Sequence, residues 1–210
     1  MGALGQPAAV GGWCSVRSSC FEENSIETSH NFDPLKFRHA LGRFASGVTV
    51  ITARYQDRTH GMTANAFTSV SLAPPLVLVS LDNRSNMHKI LPIVRRYGLS
   101  VLAEHHEHLS NHFAGRTIEG LHVRFVQQGG VPLLEGAVAH FVVEVVDEHP
   151  AGDHTLYISR VEFFQAYDEK PLIFYASQYQ QLRAERIKAP QYPQDEFSLF
   201  SIGSVDPPVG

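Results

Sequence analysis

The sequence predicts a mainly β domain, a small antiparallel β-barrel with a few peripheral helices. Stretches rich in β-branched residues, each about as long as a strand, recur along the 210 residues. Short turns containing Gly, Pro or Asp separate many of them, and the regular alternation of strand and long helix that a βαβ sheet requires is missing. Because short turns join consecutive strands, we expect those strands to pair in antiparallel fashion.

The first predicted element is a helix within NFDPLKFRHALGRFASG, residues 31–47. Asp33 can cap its first turn, Pro34 fits the first helical position, and Gly47 is expected to end it. The remaining elements are helices at 86–97 and 105–115, strands at 48–55, 67–72, 76–81, 99–104, 138–149, 154–167 and 171–175, and turns at 56–61 and 150–153.

The chain is expected to hold one folded domain between two tails. Residues 1–30 are rich in Gly, Ser, Ala and Glu without periodicity, which predicts a disordered extension. Residues 31–185 form the predicted domain, and the polar, Pro-rich residues 186–210 are interpreted as a tail.

Composition argues against several functional classes. The net charge is −4, whereas a surface that binds nucleic acid needs concentrated Lys and Arg. The two cysteines, Cys14 and Cys20, cannot supply a disulfide framework or a thiolate metal site, which favours a cytoplasmic location. No apolar run reaches the roughly 18 residues that span a bilayer, so we expect no membrane segment.

A run of small and polar residues occurs in GMTANAF, residues 61–67. Thr63 and Asn65 offer hydrogen bonds, while Ala64 and Ala66 leave room for a flat group beside the backbone. A bound planar ligand is one interpretation of this run. An ordinary half-buried strand is the other, because alternating small and polar residues are common in strands.

Several motifs occur in the order found in short-chain flavin reductases. They are FRHALGRFASGVTVITA, GMTANAFTSVSLAPPLVLVSL, HFAG, GVPLLEGAVA, AGDHTLYISRV and PLIFYASQY. Over residues 37–182 the chain therefore resembles this family, which includes the reductase components of phenol and 4-hydroxyphenylacetate two-component monooxygenases. The resemblance implies an FMN-binding split β-barrel of antiparallel, Greek-key type that works as a homodimer. It also implies hydride transfer from NADH or NADPH to FAD or FMN, and delivery of reduced flavin to a flavin-dependent oxygenase.

The resemblance further implies four groups of cofactor contacts. The flavin ring would lie against Thr63, Ala64, Asn65, Ala66, Phe67 and Ser69. The flavin phosphate would bind at the turn and helix start formed by Arg84, Ser85, Asn86, Met87 and Lys89, where a helix N-terminus attracts anions. Phe113, Ala114, Arg116 and Thr117 would lie near the ribityl phosphate or the adenylate. Phe174 and Tyr175 would lie near the dinucleotide.

His154 in the motif AGDHT corresponds to the family histidine that contacts the nicotinamide, so the resemblance implies a catalytic role for it. Taken alone, the triplet also fits a turn histidine held by Asp153. The sequence departs from the family pattern in two places. Met87 replaces a frequent threonine, and residues 140–141, His-Phe, replace a frequent Trp-Leu pair.

No metal site is predicted. His108 and His112 lie one helical turn apart within a group of histidines, but the motif H-E-x-x-H fails because Ser110 stands where its second histidine is required. A solvated helix face is the favoured interpretation of this group, which also contains His105 and His106.

Two rival functions remain open. One is a flavoenzyme that acts with bound flavin on its own small-molecule substrate, and the other is a non-catalytic flavin- or haem-binding protein of the same fold. A Gly-rich Rossmann fingerprint is missing from the sequence, so a nicotinamide cofactor is not expected to bind to a βαβ unit.

Overall fold

The computed structural model describes residues 33–183. The predicted extension, the whole predicted tail and both cysteines lie outside the described residues. Helices are α1 Pro34–Leu41, α2 Asn86–Val94 and α3 Glu107–Phe113, the last preceded by a 3₁₀ turn at Glu104–His106. Strands are β1 Ser46–Gly47, β2 Thr49–Tyr55, β3 Arg58–Ala64, β4 Phe67–Leu72, β5 Pro75–Asp82, β6 Arg96–Val101, β7 Phe125–Gln128, β8 Val131–Leu134, β9 Ala139–Ala151, β10 His154–Ala166, β11 Leu172–Tyr175 and β12 Gln178–Gln181.

The contacts divide the chain into two units, Met1–Ala40 and Leu41–Gly210. The strands found within residues 33–183 all belong to the second unit, and the described part of the first is the body of α1. Between residues 33 and 183, none of the helices is both long enough and apolar enough to cross a membrane.

The predicted cap of α1 is confirmed, but the predicted helix end is wrong. Asp33 Oδ1 accepts a hydrogen bond of 2.9 Å from the backbone N–H of Leu35. The helix stops at Leu41 because Gly42 follows, and glycine is costly inside a helix. Gly47 lies instead in β1, opposite Ile173.

The mainly β prediction with antiparallel pairing is confirmed. Seven strands form one sheet in the order β3-β2-β6-β9-β10-β5-β4, and its neighbouring strands are antiparallel. The two edge strands, β3 and β4, are joined by Asn65 and Ala66 alone. Ala64, the last residue of β3, and Phe67, the first of β4, are three residues apart, so their Cα atoms are separated by at most about 11 Å. The sheet therefore curves so that its two edge strands come close together at this bend.

The main core lies on the concave side of this curvature, beneath α2. Ile51, Val79, Leu81 and Leu99 from three strands pack there with Leu91 of α2, and all five are fully buried. Burial of such aliphatic side chains stabilises a fold by about 1.5–3 kcal/mol each. The core therefore fixes the start of α2 relative to the ends of β3 and β5.

Two sequence predictions near the corner need correction. The turn predicted at 56–61 is confined to Gln56 and Asp57, whose positive φ angles of 49° and 58° make a two-residue hairpin. Strand pairing resumes at Arg58, because the ladder to β2 outweighs the polar character of the segment. GMTANAF is consequently the end of β3, a bend, and the start of β4, not a single strand.

Short pairings were also missed by the sequence prediction. These are β1, β7, β8 and β12, which have two to four residues each and no long β-branched run. The helix predicted at 86–97 ends at Val94, and Arg96 already pairs with Glu144 in the sheet.

Candidate functional site

A cavity of about 710 Å³ lies at the corner between β3 and β4. That volume falls within the range of roughly 300–1,000 Å³ that small-molecule sites occupy. Small side chains at Ser46, Gly47 and Ala66 leave it room for a flat group. The other lining residues are Leu41, Phe44, Ala45, Thr49, Asn65, Phe67, Thr68, Leu78 and Val101.

Within the corner cavity, Ser46 carries a polar atom without a partner. Its Oγ is buried and makes no hydrogen bond with any residue of the described chain. A buried hydroxyl left unsatisfied costs about 1–3 kcal/mol, so such atoms call for a ligand, a water or a partner chain. The polar edge of a flavin ring can supply a hydrogen-bond partner for this hydroxyl. The volume of the cavity also suits a ring of that size.

Only half of the predicted ring contacts line this cavity. Asn65, Ala66 and Phe67 do. The Thr63 hydroxyl donates instead to the carbonyl oxygen of Ser110 at 2.7 Å, which ties β3 to α3. The other two do not line it, since Ala64 packs against the main core and Ser69 is exposed further along β4.

The turn after β5 carries the residues predicted to bind phosphate. Asp82 Oδ1 accepts the backbone N–H of Arg84 at 2.8 Å, and Asp82 Oδ2 accepts its Nη2–H at 2.6 Å. These hydrogen bonds from Arg84 hold the pKa of the Asp82 carboxyl well below its usual range. The turn is therefore fixed by an ion pair that stays charged at neutral pH.

Helix α2 begins directly after this turn. Ser85 is its N-cap, and the Ser85 Oγ accepts the backbone N–H of His88 at 3.1 Å. Lys89 is exposed one turn into the helix and has no ion-pair partner among residues 33–183. Asn86 is exposed, whereas Met87 is only 2% exposed and belongs to the main core.

A second cavity of about 410 Å³ joins two of the predicted groups. Asn86 and Met87 from the start of α2 line it together with Phe113 from the end of α3. Phe113 packs onto β3 at Gly61, where a Cβ atom would lie 2.4 Å from the Phe113 ring. The remaining lining residues are Thr59, His60, Gly61, Met62, Ile90, His112 and Gly115.

Three residues predicted near this part of the cofactor do not line the second cavity. Ala114, Arg116 and Thr117 are exposed beyond α3. Arg116 Nη1 donates to Asn111 Oδ1 at 3.3 Å. The segment that contains them is thus beside the cavity, and its side chains point elsewhere.

His154 begins β10 at the tip of the β9–β10 hairpin. Its Nδ1 lies 2.6 Å from Asp153 Oδ1, and its side chain is 41% exposed. In the sheet His154 is the residue opposite Asp82. The fold therefore brings the predicted nicotinamide contact beside the turn that holds Arg84, although 70 residues separate them in the sequence.

The predicted dinucleotide contacts, Phe174 and Tyr175, lie in β11, next to the strand that carries Ser46. Phe174 pairs with Ser46 in the short sheet, and its ring meets that of Tyr179 at 5.5 Å. Tyr175 is exposed, and its hydroxyl accepts a hydrogen bond of 3.5 Å from Arg43 Nη1. Neither side chain lines the two cavities.

Sequence reasoning missed the other wall of the corner cavity, which includes Phe44, Ser46, Gly47 and Thr49. The available signal is the run of small residues after the first helix, from which the sequence predicts only a helix end. Among residues 33–183, no group of three His, Cys, Asp or Glu side chains could hold a metal ion.

These features define a mainly β domain with a cofactor-sized cavity between the edges of its curved sheet. The chain belongs to the family described as the flavin reductase like domain, whose family model matches residues 41–183. The family resemblance noted from the sequence is thereby confirmed.

Individual relatives agree with this assignment. The chain is 51% identical over 163 residues to an NADH-dependent flavin reductase of a Rhodococcus species, covering 76% of this chain and 93% of that protein. It is 38% identical over 147 residues to the reductase component of 4-hydroxyphenylacetate 3-monooxygenase from Thermus thermophilus, covering 70% and 95%. Its fold matches an NADH:FAD oxidoreductase from Streptomyces globisporus, solved with NAD and FAD fragments, with a TM-score of 0.69 and 32% identity over 73% of this chain and 94% of that one.

Proposed function

We propose that this chain is an NADH-dependent flavin reductase that supplies reduced flavin to a partner flavin-dependent oxygenase. Membership of the flavin reductase family carries the proposal, together with the relatives named for NADH-dependent reduction. When both cofactors are bound, NADH supplies a hydride and the oxidised flavin accepts it. The chain's own task is to hold the two rings in contact and to limit access of water.

The corner cavity is the proposed place of the flavin ring. Its volume, its small residues and the unsatisfied Ser46 hydroxyl all suit a planar ligand with a polar edge. Asn65 lies at the bend, where its side chain is exposed and can offer hydrogen bonds to that edge. The phosphate would then reach the turn at Arg84 and the exposed ammonium of Lys89.

The second cavity is the proposed place of the adenylate half when the flavin is FAD. It starts at Asn86, next to the phosphate turn, and its walls include the rings of His60, His112 and Phe113. Aromatic walls suit a nucleobase, because flat rings stack on one another. FMN has no group to fill this space.

His154 is the proposed nicotinamide contact. Its Nδ1 is turned towards the Asp153 carboxylate, so Nε2 is the nitrogen available to a ligand. The hairpin tip lies beside the phosphate turn, and a dinucleotide folded over the flavin would pass this position.

A homodimer of split barrels is the proposed assembly. The edges β3 and β4 come close together and yet are not paired with each other in the sheet order, as a split barrel requires. On β4, Val70 and Leu72 are 47% and 61% exposed. Phe44, at the corner cavity, is 82% exposed. A second copy would cover these apolar side chains and the open side of the cavity.

The activity is tested by following NADH oxidation by the purified chain with FAD, FMN or riboflavin added under anaerobic conditions. The proposal expects NADH to be consumed in proportion to the flavin reduced. NADPH serves as the competing hydride donor. Retained flavin without NADH consumption would favour the non-catalytic binding protein, and reduction confined to a tightly held flavin would favour the flavoenzyme with its own substrate.

A further inference from the structure

The tip of the β9–β10 hairpin projects beyond the core. The last six residues of β9, up to Ala151, are all exposed. Gly152 turns the chain with a φ of +64°, and Asp153 follows. A hairpin end of this kind has few packed neighbours, so its position depends on lateral contacts.

His154 pairs with Asp82 in the sheet, and beyond this ladder two further lateral hydrogen bonds come from one residue of the phosphate turn, Asn83. Its backbone N–H donates to the carbonyl oxygen of Asp153 at 3.0 Å. Its side-chain Oδ1 accepts the Thr155 hydroxyl at 2.8 Å. Thr155 is only 7% exposed, and its Oγ1 has no second partner among the described residues.

These two hydrogen bonds flank His154 on both sides. Asp153 is held by the Asn83 backbone, Thr155 by the Asn83 side chain, and the histidine lies between them. Arg84, the next residue of the turn, is held in place by Asp82. The turn after β5 and the tip of the β9–β10 hairpin therefore move as one unit while the Asn83 hydrogen bonds are intact.

We propose that Asn83 and Thr155 are positioning residues for NADH, because their hydrogen bond holds His154 against the turn that receives the flavin phosphate. The proposal rests on the function proposed above. It assigns to these two residues no contact with either cofactor. Their loss should loosen the histidine-bearing tip while leaving the flavin cavity intact.

Thr155→Val is the principal test, since valine keeps the shape of threonine and removes the hydroxyl donor. Asn83→Ala removes the acceptor on the exposed side of the same bond. We expect each change to raise KM for NADH roughly three- to tenfold, the worth of one hydrogen bond, while Kd for FMN changes by less than about twofold. Thr155→Ser restores the hydroxyl and should return KM towards the wild-type value.

The double variant and a hairpin control complete the experiment. Because both changes break one bond, the double variant should raise KM no further than either single variant. His149→Ala is the matched control, since His149 lies on the same hairpin and, within residues 33–183, its side chain is hydrogen-bonded to Asp147 alone, at 2.9 Å. It should leave KM for NADH unchanged.

Several results would overturn the proposal. One is an unchanged KM for NADH in Asn83→Ala. Another is a double variant whose rise in KM equals the product of the rises in the two single variants. The third is a rise in Kd for FMN as large as the rise in KM for NADH. Should Thr155→Val unfold, Asn83→Ala still decides, because Asn83 is exposed. A wild-type chain that oxidises no NADH with any flavin would contradict the proposed function itself, which is a different outcome.

Discussion

The charge of the phosphate turn can be changed in steps. Arg84→Gln and Lys89→Gln each remove one positive charge near the proposed position of the flavin phosphate. Lys89 is exposed and unpaired within residues 33–183, whereas Arg84 is already bonded to Asp82. Removing Arg84 therefore has a second effect, because it leaves the Asp82 carboxylate free to repel phosphate.

The expected magnitude follows from these surroundings. One pair of unit charges about 4 Å apart in water interacts by about 1 kcal/mol, and exposed pairs seldom exceed that value. Lys89→Gln should therefore raise the Kd for FMN about fivefold. Arg84→Gln should also weaken the binding of FMN. The double variant, with Arg84→Gln and Lys89→Gln, should bind FMN most weakly. Riboflavin has the same ring and no phosphate, so its affinity should hardly change.

Fluorescence titration of each flavin gives the dissociation constants for FAD, FMN and riboflavin. The matched control is Asp82→Asn combined with Arg84→Gln, which keeps the net charge of the turn at its wild-type value. It should bind FMN more tightly than Arg84→Gln alone. Equal loss of riboflavin and FMN in the Arg84 and Lys89 double variant would refute the placement of the phosphate at this turn.

Three further outcomes are expected. His154→Ala should raise KM for NADH or lower turnover roughly tenfold or more, with Kd for flavin little changed; steady-state kinetics check this, and equal loss of both would contradict the assigned role. Burial lowers the pKa of His106 to about 4, helped by His105 and His108, so the folded state disfavours the protonated form. The free energy of unfolding should therefore fall as pH drops from about 6.5 to 4. Urea titrations should show less of that fall in His106→Gln, and an identical pH dependence would contradict it. Light scattering should give the mass of a dimer, and an active monomer would contradict this assembly. The interface of such a dimer should bury more than ~2,000 Å² in total.

The sequence predicted the longer elements well, for reasons that are local. Strand β5 and the hairpin of β9 and β10 carry long apolar stretches that contain valine, so their side-chain pattern alone indicates strands. The cap at Asp33 is equally local, since its partner is two residues away. The corner at Asn65 was missed because a bend between two paired strands depends on their partners, β2 and β5, and not on the bend's own residues.

Predictions about the site depended on the family resemblance, and the fold brings only some of the predicted residues to one cavity. Asn65, Ala66 and Phe67 line the corner cavity, whereas the Thr63 hydroxyl is used to hold α3. A polar residue in a strand can face either side, and the choice is made by what packs against that strand. Ser46 is the opposite case, a residue that lines the cavity and was not predicted. Nothing in its local sequence distinguishes a serine in a cavity wall from a serine in a turn.

The sequence by itself determined the family, the antiparallel β character and the order of the motifs, because each of these is written in runs of neighbouring residues. Tertiary structure alone decided which motifs meet. His154 lies beside Arg84 only because β10 pairs with β5, and Asn86 reaches Phe113 only because α2 and α3 both pack near β3. Such meetings depend on strand register and on curvature of the sheet, which are set by long-range packing that no local segment encodes.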